Sequence, residues 1–345
     1  MHRIVLDAMG GDFAPSVTVK GAILAVKESS VSVILTGPKQ MIEDEIKNHT
    51  DFPHDKISIV DCPDIVGMAE SPTLSFKKKK KSSIYIGLEL VKNGEADAFV
   101  SAGNTGAVMT TALFVLGRLP GVERPGLAAI FPSSKSDYVI VDVGSSVDCK
   151  PNHLRQFAIM GKHFSREILS VDNPRIGLFN LGEEEDKGNQ LTLSTYHVLK
   201  QCGFNFIGNV EGKDLTRGAA DVVVCDGFVG NSLLKFGEGI SKMLMSFFKL
   251  EARSSWLSMV GLLFLKPAFK RFKKRYDYDQ YGGANLLGVN GICIIAHGSA
   301  SHIAIKNAIK VATRGIQSNI VKKIGDGISS SQISDEESVT PLIPS

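Results

Sequence analysis

Three polar residues at the ends of apolar runs could do chemistry in this chain: Lys187, Asn231 and Asp226. Lys187 sits in Glu183-Glu-Glu-Asp-Lys-Gly-Asn189, just after the run Ile176 to Phe179, where an ammonium can hold phosphate as a point charge. The four acids before it read as a solvated helix-start face. Asp226 and Asn231 bracket the turn Asp226-Gly-Phe-Val-Gly-Asn231 with Gly227 and Gly230 between them. There Asn231 could donate to a developing oxyanion and Asp226 could orient it. The same residues also fit a strand-to-helix turn with a capping Asn, and their convergence on one turn favours the site.

Three more glycine loops follow apolar runs. Asp7-Ala-Met-Gly10-Gly11-Asp12 is a tight turn whose aspartates could orient amides or hold a hydroxyl, or is simply structural. In Gly103-Asn104-Thr105-Gly106 the backbone donors and the Thr105 hydroxyl could face an oxyanion at a helix start, with an ordinary N-cap as the alternative. His297-Gly298-Ser299 is a site loop or a satisfied histidine in equal measure. Glycine at such places lets the backbone approach a ligand, and a helix beginning just after it favours an anion. The expected ligand carries phosphate or another oxyanion.

What the chain lacks narrows this further. There is no G-x-G-x-x-G, no G-x-x-x-x-G-K-[ST] and no H-E-x-x-H, so dinucleotide, P-loop nucleotide and zinc-protease readings lose their support. A net charge of +3 over 345 residues does not argue for nucleic acid, and no basic stretch is interleaved with stacking aromatics. Five widely spaced cysteines without a C-x-x-C pair read as reduced core residues of a cytosolic protein. The first strand begins almost at Met1, leaving no room for a signal peptide.

The elements that must position these residues alternate. Strand-like runs at Ile4 to Leu6, Val31 to Leu35, Ile57 to Val60, Ala98 to Val100, Val139 to Val141, Ile176 to Phe179, Val222 to Val224 and Ile292 to Ile295 are separated by helical stretches. Among these are Pro15 to Glu28, Ser82 to Lys92, Thr105 to Leu116 and Asn189 to Gln201. This rhythm predicts an α/β fold, a largely parallel sheet with helices on both faces. Residues 1–324 read as one domain, and 325–345, rich in Ser, Asp, Glu and Pro, as a disordered tail.

Residues 243–278 break the rhythm by joining apolar and basic runs, with Trp256, Leu257, Val260, Leu262, Leu263 and Phe264 followed by Lys266 to Arg275. As a helix, Trp256 to Leu265 would span about 15 Å against the roughly 30 Å of a bilayer core, so it cannot cross one. A helical hairpin lying on an anionic membrane surface is favoured here over a core helix or an oligomer contact. Lys77 to Lys81 is a run of five lysines, a solvated face that would also serve an acidic protein partner.

The ordered set D-A-M-G-G-D, E70-S-P-T73 with lysines after it, S-A-G-N-T-G-A, G117-R-L-P-G-V, D-V-G with V147-D-C-K-P after it, N209-V-E-G, C-D-G-F-V-G-N, Y281-G-G-A and A-H-G-S resembles the bacterial phosphate acyltransferase family, PlsX, up to about Val321. The resemblance implies a fold like that of the phosphotransacetylase and isocitrate-dehydrogenase group. It implies conversion of fatty acyl-[acyl carrier protein] and inorganic phosphate into acyl phosphate for phospholipid synthesis. It also implies a homodimer at the inner face of the cell membrane and a downstream membrane acyltransferase, with the segment 243–278 as the membrane contact. The chemistry agrees: phosphate is a ready nucleophile and a thioester an activated donor, so position and charge stabilisation suffice, without metal or nicotinamide cofactor. In that mechanism Lys187 and the amides of Gly103 to Gly106 hold phosphate, and Asn231 with nearby amides stabilises the tetrahedral oxyanion. A phosphotransacetylase using short acyl-coenzyme A, or a non-catalytic membrane-surface scaffold, are the competing readings.

Overall fold

The computed structural model describes residues 1–251, 264–265, 267 and 278–338. Eleven strands form one sheet among them: β1 (His2–Asp7), β2 (Val31–Gly37), β3 (Ile57–Asp61), β4 (Ala98–Ser101), β5 (Gly126–Pro132), β6 (Asp137–Val141), β7 (Ile176–Phe179), β8 (Phe206–Val210), β9 (Val222–Val224), β10 (Ala284–Leu287) and β11 (Ile292–Ile295), in the spatial order β3-β2-β1-β4-β11-β10-β5-β6-β9-β7-β8. The pairings β10 with β11, β10 with β5 and β5 with β6 are antiparallel, and the rest are parallel. The sheet therefore holds two parallel groups, β3-β2-β1-β4-β11 and β6-β9-β7-β8, which run in opposite directions across the antiparallel β10 and β5.

Strands such as Val222-Val-Val224 are wholly buried because both faces of the sheet are covered, which is what continuous β-branched runs call for. One face carries α1 (Ser16–Glu28), α6 (Pro151–Ile168), α7 (Gln190–Gln201), α10 (His302–Gln317) and α11 (Ile320–Ser338). The other carries α4 (Ser83–Lys92), α5 (Thr105–Val115), α8 (Gly212–Arg217) and α9 (Gly227–Glu251). The short helices α2 (Lys39–Ile46) and α3 (Pro72–Lys78) flank the first parallel group.

One expectation changes. The tail predicted as disordered from Gly325 is helical as far as Ser338, and Ile320, Ile324 and Ile328, recurring at a four-residue spacing, bury the first turns of that helix against α6. Of the predicted hairpin, Met243 to Glu251 continues α9, and Phe264, 82% exposed, lies in a helical segment. Trp256, Leu257, Val260, Leu262 and Leu263 lie outside the described residues. No helix among the described residues is long and apolar enough to cross a membrane.

Candidate active site

The predicted site residues fall into two groups, one at the carboxyl ends of each parallel set of strands. In the first, β1, β4 and β11 end level, with Leu6 opposite Val100 and Val100 opposite Ile294. Asp7 is buried there and accepts from Ser101 Oγ at 2.7 Å and the Met9 N–H at 3.1 Å. Burial pushes its carboxyl above the usual range, and the hydrogen bonds from Ser83, Ser101 and two backbone amides pull against that. Gly10 is required by contact: a Cβ there would lie 2.6 Å from the Gly103 nitrogen and 2.7 Å from Asp7 Oδ2. The Asp12 N–H donates to the Gly298 carbonyl at 2.8 Å and joins the outer two loops.

The amides of the Gly103 to Gly106 turn divide unequally, which corrects the expectation that all of them hold phosphate. The Gly103 N–H is already given to Ser101 Oγ at 2.9 Å. Asn104 caps α5 by accepting from the Ala107 N–H at 3.0 Å, and its Nδ2 donates to the carbonyls of Met68 and Glu70, each at 2.9 Å. That leaves the N–H groups of Asn104, Thr105 and Gly106 without an acceptor among the described residues, at the positive end of an eleven-residue helix. Thr105 is exposed beside them. In the third loop His297 Nδ1 accepts from the Ser299 N–H at 3.1 Å, with Ser299 Oγ at 2.8 Å. In the neutral ring this assigns the proton to Nε2, which faces Glu238 Oε2 at 3.9 Å.

In the second group, β6, β9 and β7 end level at Val141, Val224 and Leu178. Asp142, which sequence reasoning did not single out, is its anchor. The carboxylate is fully buried and accepts from the backbone N–H groups of Leu127, Gly144, Ser145 and Ser146 and from Ser145 Oγ, at 2.7 to 3.1 Å. Burial raises its pKa, against those bonds. The signal available in the sequence was an Asp directly after a strand and two residues before Gly144, much as Asp7 ends β1 three residues before Gly10.

Asp226 turns out to be a cap: its Oδ1 accepts from Phe228 N–H at 2.9 Å and Val229 N–H at 3.0 Å, while the Gly227 N–H is given to the Ser146 carbonyl at 2.8 Å and that of Gly230 to the Asp226 carbonyl at 3.0 Å. Any side chain at Gly230 would run into the Asp142 carbonyl. The amides opening α9 and those of Gly144 to Ser146 are all consumed internally, so the nearby amides expected to assist Asn231 are not free. Charge stabilisation here must come from side chains. Asn231 is half-buried against Gly144, and its carboxamide has no hydrogen-bond partner among the described residues.

Lys187 is exposed, and its ammonium is unpaired among the described residues. Its loop is held at both sides, by Asn180 Nδ2 donating to the Lys187 carbonyl and Asn209 Nδ2 to the Glu184 carbonyl, both at 2.8 Å. The acids of that loop pair at the surface, Glu183 with Lys213 at 3.0 Å and Glu185 with Lys200 at 2.7 Å.

The two groups are bridged by α9. Asn231 and Glu238, seven residues apart, share one side of the helix about 10 Å apart along its axis, so the His297 loop flanks the same side as Asn231. Lys235, one turn beyond Asn231, is exposed and unpaired among the described residues; its i+4 spacing was the signal that could have found it. An open groove of about 730 Å³ lined by Ser136, Glu167, Ser170, Arg314 and Gln317 lies away from all these loops.

Comparison with known proteins places the chain in a family. The family model described as "Fatty acid synthesis protein" matches residues 2–323. The phosphate acyltransferase of Pelotomaculum thermopropionicum is 46% identical over 331 residues, 96% of both chains. That of Clostridium novyi is 47% identical over 332 residues, 96% of this chain and 100% of the other. Among solved structures, a phosphotransacetylase from Streptococcus pyogenes aligns with a TM-score of 0.59 at 16% identity, covering 92% of this chain and 94% of the other. A branched-chain phosphotransacylase from Enterococcus faecalis aligns with a TM-score of 0.57 at 14% identity, over 92% and 99%. The likeness to these two is one of fold, whereas the full-length identity to the first pair settles descent: the chain belongs to the phosphate acyltransferase family.

Proposed function

We propose that the chain transfers a fatty acyl group from acyl carrier protein to inorganic phosphate, releasing acyl phosphate for phospholipid synthesis. The observation that carries this reading is the contrast between two helix starts. The first turn of α5 offers three unengaged N–H groups to an anion, whereas α9 has spent its own and presents Asn231 and Lys235 instead. Phosphate sits at the first turn of α5; Lys187, expected to hold it as well, stands after β7, six strand positions from β4 and toward the opposite edge of the sheet, and does not reach it. One of its oxygens adds to the thioester carbonyl, and Asn231 donates to the oxyanion that forms. As the carbonyl re-forms the C–S bond breaks, and the carrier thiolate takes a proton from solvent. Asp7 and Asp142 touch neither reactant; they hold the loops on which these groups stand.

Attachment to the inner membrane surface, pairing into a homodimer and hand-over of the product to a membrane acyltransferase belong to the same proposal. Phe236, Met243, Phe247 and Leu250 line one side of α9 and are each more than half exposed, which supports an apolar contact there. To test the reaction, the protein is incubated with long-chain acyl carrier protein, with and without phosphate, and acyl phosphate is trapped with hydroxylamine. Hydroxamate that requires phosphate supports the proposal. Hydroxamate formed only from acetyl-coenzyme A would move the chain to phosphotransacetylase chemistry.

A further inference from the structure

The five-lysine run does not act as one unit. Lys79 is engaged inward, its ammonium bonded to Glu70 and to the Ile65 carbonyl. Lys80 stands over two rings, 3.4 Å from the Phe76 centroid and 4.4 Å from that of Tyr85. Lys77, Lys78 and Lys81 are exposed, and no carboxylate pairs with them or with Lys80 among the described residues. Beside these cations lies uncovered apolar surface: Phe114 is 69% exposed and stacks on Phe76 with centroids 4.6 Å apart, and Leu74 is 52% exposed.

This patch is built onto the anion-binding turn. Asn104 Nδ2 grips the carbonyls of Met68 and Glu70 directly ahead of α3. Gly106 lies so close to Pro72, the first residue of α3, that a Cβ there would be 2.6 Å from Pro72 Cγ. Along α5, Phe114 is nine residues from Thr105, or about 14 Å.

We propose that α3 and the last turns of α5 form the docking surface for the acidic carrier protein, with Lys77, Lys78 and Lys81 meeting its carboxylates and Leu74 and Phe114 its apolar residues. The inference rests on the proposed reaction, which needs a carrier held within reach of the α5 turn so that its thioester arm can extend to the phosphate. Charge selects the occupant: an isologous contact between two copies would set these unpaired lysines against their own kind, whereas an acidic partner neutralises them.

The test uses the full chain carrying Lys77→Glu, Lys78→Glu and Lys81→Glu together, and separately Phe114→Ser, each checked for native circular dichroism and melting. Binding of holo carrier protein without an acyl group is titrated at low and physiological salt. Turnover is measured with acyl carrier protein and with the small donor acyl-pantetheine. Reversing three rim charges should weaken carrier binding about tenfold and flatten its salt dependence. KM for acyl carrier protein rises in step, while kcat and the acyl-pantetheine rate stay as in the unmodified chain. Phe114→Ser weakens binding without altering the salt dependence.

Unchanged carrier binding in both variants would overturn the proposal. So would an equal loss with acyl-pantetheine, a change of oligomeric mass in place of carrier affinity, or loss of binding to anionic vesicles alone. If the unmodified chain turns over neither donor, the proposed reaction fails while the binding titration still decides the surface.

Discussion

Replacing Asn104 in two ways separates structure from electrostatics at the α5 turn. The side chain caps α5 through the Ala107 N–H and donates to two carbonyls ahead of α3. Asn104→Ala loses all three bonds, about 1 kcal/mol for the cap and about 1 for each carbonyl, or roughly 3 kcal/mol of stability. Asn104→Asp keeps the cap but loses the two carbonyl bonds, costing about 2 kcal/mol plus repulsion between carboxylate and carbonyls. The two variants are thus similarly destabilised. Toward phosphate they diverge, because only the aspartate variant adds a charge. A unit charge about 5 Å from each phosphate charge, at an effective dielectric near 20, is worth about 3 kcal/mol, and partial exposure of the side chain brings this to roughly 1.5 to 3. Phosphate use should therefore be about 10- to 100-fold weaker in Asn104→Asp than in Asn104→Ala. Initial rates over phosphate at saturating acyl donor, alongside urea denaturation, measure both quantities. Equal phosphate dependence in two equally stable variants would refute phosphate binding at this turn.

Lys187→Ala, losing an ammonium unpaired among the described residues and six strand positions from the α5 turn, should leave the phosphate KM within about twofold and stability within about 0.5 kcal/mol, as steady-state kinetics and melting will show. Asn231→Ala should lower kcat by about 10²- to 10³-fold at saturating substrates. Asp142→Asn turns one acceptor into a donor facing the amides of Gly144 to Ser146 and should cost about 2 to 4 kcal/mol in urea denaturation. Burial raises the pKa of Asp221, but the paired bonds from Arg175 outweigh it and hold the carboxyl below its ordinary value. A depressed folded-state pKa contributes stability above the unfolded value, near 4, that is lost as pH falls through the folded one. Asp221→Asn should therefore cost about 1 kcal/mol at pH 7, reduced by the partial exposure of Arg175, with the gap closing below about pH 4.

The parallel groups, apart from β8, were legible because runs such as Ile4 to Leu6 and Val222 to Val224 are apolar, mostly β-branched and fully buried, and Asn104 and Asn189 mark helix starts. The antiparallel centre was not. β5 is Gly126-Leu-Ala-Ala-Ile-Phe-Pro, an apolar run without alternation that opens on glycine and ends on proline, and β10 buries Asn285 beside its two leucines. Neither shows a strand period, yet these two strands reverse the sheet and decide which loops meet. At the site, residue types located Asn231 and the four loops. They could not say which amides remain free, since that depends on hydrogen bonds between residues far apart in sequence, such as Ser101 to Asp7 and Gly227 to Ser146.

The most direct test of the central claim follows the bond that is made. With [³²P]phosphate and acyl carrier protein, label should enter an organic-extractable acyl phosphate in equal amount to the carrier thiol released. Thiol released at the same rate without phosphate, or without label in the acyl product, would contradict direct transfer to phosphate.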